Sequence, residues 1–89
     1  MNVSYIANIS GRVQGVYFRA STQQQAIEHS LSGYARNLTD GSVEVLLCGE
    51  QKNIEKVLLW LAHGPEKAQV TALAHKQVPW QEHHFFSIN

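Results

Sequence analysis

"GYARNLTDGSVEVLLCG", residues 33–49, holds two strand-like runs on either side of Asp40-Gly41. Asp-Gly between alternating apolar residues is the strongest short-range signal of a β-hairpin, because the tightest hairpin turns need positive φ at their centre. Val43, Val45 and Leu47 alternate with Glu44, a period of two that gives the second strand one buried face. A two-residue Asp-Gly loop would set Asn37 opposite Glu44. A longer loop would change that register, and the residues leave both open.

Upstream of the hairpin, Val3, Tyr5, Ala7 and Ile9 alternate with Ser4, Asn8 and Ser10, which predicts a first strand. Gly11 to Gly15 read as a loop. From Phe18 to about Ser30 the chain is rich in helix formers, with Phe18, Thr22, Ala26, Ile27 and Leu31 as a weak apolar stripe and Gln23 to Gln25 on the wet face. Downstream, Ile54, Val57, Leu58 and Leu61 recur at helical spacing, and Gly64-Pro65 stops that helix. Val70, Ala72 and Ala74 alternate as a fourth strand, with Leu73 out of step. A short last strand is expected over Phe85 to Ile88, entered after Pro79. The order β-α-β-β-α-β with a short final strand predicts an α+β, ferredoxin-like split βαβ sandwich. One antiparallel sheet would carry both helices on one face. A single domain over residues 1–89 is expected.

Seven Lys and Arg balance seven Asp and Glu. No basic stripe is present, which argues against nucleic acid as a partner and against an anionic membrane surface. No run is apolar enough for a spanning helix, and the first ten residues lack the pattern of a signal peptide. Cys48 is the one cysteine, so no internal disulfide is expected. It falls inside a strand, where a packed thiol is the simplest reading. A cytoplasmic monomer is expected.

Candidate chemistry narrows by elimination. The five histidines are scattered apart from His83-His84, whose neighbours on a strand would face opposite ways. Asp40 is the one aspartate and belongs to a turn. No spacing suggests a metal site, and no cofactor is expected. What remains is "GRVQGVYFR", Gly11 to Arg19, a glycine-punctuated, carboxylate-free loop leading into a helix. Such a loop presents backbone N–H groups at the positive end of the helix dipole, an arrangement suited to an anion. Arg19 in the first turn opposes that dipole, a conflict that a bound phosphate would reverse.

The Gly11–Arg19 stretch resembles the signature loop of the acylphosphatase family. "GYARNLTDGSVEV", residues 33–45, resembles that family's second block, and residues 64–70 and 86–88 also fit, so that the likeness spans essentially the whole chain. The resemblance implies hydrolysis of an acyl phosphate to a carboxylate and inorganic phosphate. It implies a phosphoryl group bound by Gln14, Gly15, Val16, Tyr17, Phe18 and Arg19, with Asn37 orienting the attacking water. Val13, Val16 and Phe18 are expected to anchor the loop in the core, and Gln14 to contribute its backbone amide. RNA-recognition domains share the split βαβ order, but the third strand here, "SVEVLLCG", lacks their stacking aromatics. Similar domains also occur inside larger maturation enzymes, and a free enzyme is the expected case here.

Overall fold

A computed structural model describes residues 1–89. The elements are β1 (Asn2–Arg12), α1 (Phe18–Glu28), β2 (Ser32–Asn37), β3 (Val43–Glu50), α2 (Gln51–Leu61), β4 (Gln69–Val78) and β5 (Phe86–Ile88). The strand order is β4-β1-β3-β2-β5, with both helices against one face, which is the split βαβ arrangement. No helix is long and apolar enough to cross a membrane.

The core lies between that face and the helices. Ala7 and Ile9 of β1, Ala35 of β2, and Val43, Val45 and Leu47 of β3 meet Phe18 and Ala26 of α1 and Ile54, Val57, Leu58 and Leu61 of α2. Every apolar residue expected on the buried side of α2 is there. α1 differs from its expected stripe: Ile27 is exposed, and the buried set is Phe18, Thr22 and Ala26. Nor are the glutamines simply solvated, since Gln23 Nε2 donates to the Phe86 carbonyl at 2.8 Å and fastens α1 to β5.

Two strand expectations change. The sheet is mixed rather than antiparallel, because β5 runs parallel to β2. β4 ends beside the start of β1, and the chain then crosses to the start of β2 at the same end of the sheet. A crossing that stays at one end makes β5 antiparallel to β4, hence parallel to β2. In β4, Val70 and Leu73 both pack on the core, because the register shifts at Ser10/Gly11 and Thr71 forms a bulge. The Pro79–Phe85 connection lies on the other face of the sheet. There Gln81 N–H donates to Ser4 Oγ, the Ser4 hydroxyl donates to Cys48 Sγ, and the His83 ring meets Tyr34. Cys48 is buried as expected, and loss of water around it raises its thiol pKa. Leu46 is buried on this face too, so the central strand β3 is covered on both sides.

The hairpin register is now fixed. Asn37 pairs with Val43 and Arg36 with Glu44, so the loop is longer than two residues. Leu38 N–H donates to the Ser42 carbonyl at 2.8 Å, and Gly41 N–H to the Leu38 carbonyl at 3.1 Å. Gly41 sits at φ 93°, the positive φ that closes a three-residue hairpin loop of this kind. Ser42 donates its N–H and its hydroxyl to Asp40 Oδ1, and Asn8 Nδ2 donates to Ser42 Oγ from β1. The Ser42 hydroxyl, then its N–H, lower the Asp40 carboxyl below its ordinary pKa.

A carboxylate lowered on folding stabilises the fold above its unfolded pKa of about 4. That contribution is lost as the pH falls through the folded pKa. Asp40→Asn keeps an acceptor oxygen but removes the titration. Urea midpoints between pH 7 and pH 3 should therefore fall less in Asp40→Asn than in the parent. Equal acid losses would show that the carboxylate is not coupled to folding.

Candidate active site

Between β1 and α1, Val13, Val16 and Phe18 are buried and pin the loop at three points, as expected. The residues between them turn sharply. Gly15 has φ 73° and Tyr17 has φ 60°, while Val16 between them keeps a negative φ. Alternating signs of φ curl successive N–H groups toward one concave side. The N–H groups of Gln14 to Tyr17 donate to no acceptor in the protein. Tyr17 caps α1 without a side-chain hydrogen bond, and the first turn carries no acidic residue. Donors and dipole therefore point the same way, with no carboxylate to compete for them.

Arg19 follows in the first turn of α1, where Nη1 donates to the backbone oxygen of Asn89 at 2.9 Å. That bond steadies the guanidinium and leaves its other N–H groups free. Opposite stands Asn37, at the end of β2. It shares the helix-facing side of the sheet with Ala35, because β2 alternates and Asn37 pairs with the buried Val43. The hairpin bonds use Asn8, Gln14, Asp40 and Ser42 and leave the Asn37 carboxamide unengaged.

A cleft of about 380 Å³ joins these parts: Gly15, Tyr17, Phe18, Arg19 and Asn37 line it, together with Val13, Ala20 and Ile88. Five of the seven residues expected at the site thus border one cavity. The other two turn their side chains elsewhere, Val16 into the core and Gln14 onto the hairpin, leaving their backbone amides on the loop. Ile88 and Asn89 lie far away in sequence, and nothing local marks them. Their place follows only from the pairing of β5 with β2. A larger cleft, about 820 Å³, lies beside Cys48, Trp80 and Phe85 and contains neither the loop nor Arg19 nor Asn37.

The acylphosphatase family model matches residues 5–88. The chain belongs to the acylphosphatase family. An acylphosphatase of Colwellia psychrerythraea is 82% identical over 88 residues, covering 99% of each chain. Among solved structures, an acylphosphatase from Coxiella burnetii superposes with a TM-score of 0.96 at 33% identity, covering 99% of this chain and 93% of that one. One from Bacillus subtilis gives 0.94 at 33% identity, covering 100% and 99%. Membership places the chain among hydrolases that act on acid anhydrides. Of the three residues of β5, Ile88 lines the cleft.

A Cβ on Gly15 would meet no atom within 4 Å, so space does not demand glycine there. The demand is conformational: at φ 73° a β-branched residue is strained, whereas asparagine tolerates the left-handed region. Gly15→Val should weaken inhibition by inorganic phosphate by roughly 5- to 30-fold, as the loop shifts to relieve about 1–2 kcal/mol of strain, with little change in the unfolding midpoint. Gly15→Asn should retain most of the affinity. Equal losses in both variants would contradict the conformational account.

Proposed function

We propose that the chain hydrolyses acyl phosphates to a carboxylate and inorganic phosphate, with the phosphoryl group held by the Gln14–Arg19 loop and water oriented by Asn37. The observation that carries this reading is the run of unpartnered N–H groups, Gln14 to Tyr17, curled beside Arg19 and facing Asn37 across one cleft. Family membership supplies the substrate class.

The chemistry suits so spare a site. A carboxylate is a good leaving group, since its conjugate acid has a pKa of about 4, and its departing oxygen needs no proton. Phosphoryl transfer depends mainly on positioning and on stabilising charge at the equatorial oxygens. Loop amides and the Arg19 fork supply that stabilisation. The Asn37 carbonyl accepts a hydrogen bond from water and turns a lone pair toward phosphorus. The P–O bond to water forms as the P–O bond to the acyl group breaks, and the bonding pair leaves on the carboxylate. A phosphoryl oxygen takes the water's proton. We further assign the chain to the cytoplasm, as a monomer. The single buried thiol, Cys48, suits a reducing compartment.

Arg19→Lys should recover little of the activity lost in Arg19→Ala, because a point charge cannot reproduce two parallel donors. Steady-state hydrolysis of acetyl phosphate reads this directly, and near-parental turnover in Arg19→Lys would contradict the bidentate role. Asn37→Ala should lower kcat by about two to three decades, equivalent to roughly 3–4 kcal/mol, and lower kcat/KM alike. The inhibition constant for inorganic phosphate should stay nearly unchanged. A parallel fall in phosphate affinity would make Asn37 part of the anion site instead.

A further inference from the structure

The Gln14 carboxamide gives both of its protons to the hairpin. Nε2 donates to the Leu38 carbonyl at 2.9 Å and to the Ser42 carbonyl at 3.0 Å. Since both partners are carbonyl oxygens, only the NH₂ end of the amide can face them. Leu38 and Ser42 are the two residues that close the hairpin loop, and Leu38 directly follows Asn37. At the other end, Gln14 directly precedes Gly15 in the anion loop. No other side-chain hydrogen bond joins residues 13–17 to this hairpin. Asn8 and Asp40 brace the hairpin through Ser42, without touching the loop.

We propose that Gln14 is a positioning residue: its side chain sets Asn37 at a fixed distance from the anion loop and acts on the reaction through Asn37, without touching substrate. The proposal rests on the water-orienting reading of Asn37. It separates two contributions of one residue. The Gln14 backbone amide belongs to the anion loop, while its side chain faces the hairpin. Loss of the side chain therefore leaves the phosphate donors in place and loosens only their spacing to Asn37. The hairpin itself survives, because the Leu38 carbonyl still receives Gly41 N–H and the Ser42 carbonyl still receives Leu38 N–H. A misplacement of about 1 Å can cost on the order of 100-fold in rate.

The test is a double-mutant cycle on Gln14→Ala and Asn37→Ala, reading acetyl phosphate hydrolysis and inhibition by inorganic phosphate, with circular dichroism on every variant. Gln14→Ala should lower kcat by roughly 10- to 100-fold while the phosphate inhibition constant stays nearly unchanged. In the Asn37→Ala background the same substitution should have almost no further effect on kcat. Gln14→Glu, which keeps the length but has no donors, should behave no better than Gln14→Ala. Additive losses in the double variant, a phosphate affinity that falls with kcat, or parental kcat in Gln14→Ala would each overturn the proposal. Loss of fold in both Gln14 variants would make the residue a folding element and overturn it as well. If Asn37→Ala alone keeps parental kcat, the water-orienting role fails first and takes this proposal with it.

Discussion

A slip of one residue between β2 and β3 would turn Ala35 out of the core and Asn37 away from the cleft it shares with Gly15 and Arg19. The period of a strand is two, so register decides which face every side chain takes. Here the register is held from three directions. Ala35, Val43, Val45 and Leu47 are packed under the helices. Gly41 closes the loop at a positive φ, and the Gln14 and Asn8 side chains hydrogen-bond to the hairpin. The same packing that supplies the core thus delivers a carboxamide to the cleft. Position at the end of β2 follows from burial at its middle.

The opposite wall of the cleft depends on a different balance. An uncapped helix start with no acidic side chain and with Arg19 in its first turn is locally unfavourable. Three buried anchors, Val13, Val16 and Phe18, hold the loop in place against that cost. Tyr17, a bulky residue at positive φ, adds strain of its own. An anion bound there would relieve the electrostatic part of this conflict. In the proposed reaction, donors fixed in this way would act without any dipole having to turn.

Much of this was legible in the residues. The period of β1 and β3, the spacing of α2 and the Asp-Gly turn give the element order, and the glycine-punctuated loop points to residues that line the cleft. What was not legible has physical causes. The out-of-step Leu73 is the mark of the Thr71 bulge, but an apolar residue out of register does not by itself say where the extra residue lies. Leu46 is buried on the face away from the helices, opposite Ile6 and Tyr34, which the alternation of β3 does not report. Ile27 sits where a helical stripe would place a core residue, yet it is exposed and borders the larger cleft beside Trp80 and Phe85. The Gln14 side chain met Leu38 and Ser42 through pairing that was undecided until the loop length was known.

β5 is three residues long and lies at the edge of the sheet, yet it supplies Ile88 to the cleft and leads directly to Asn89, the partner of Arg19. Short edge strands belong to the low end of the range of local opening energies in a folded protein. Whenever the end of β5, Ile88 and Asn89, frays, the guanidinium loses its tether while Phe86 stays packed in the core. The fraction of molecules with a fully fastened arginine is therefore governed by a local opening equilibrium at the edge of the sheet. That equilibrium can be adjusted, for example through the Gln23 bond to Phe86, independently of the global stability of the fold.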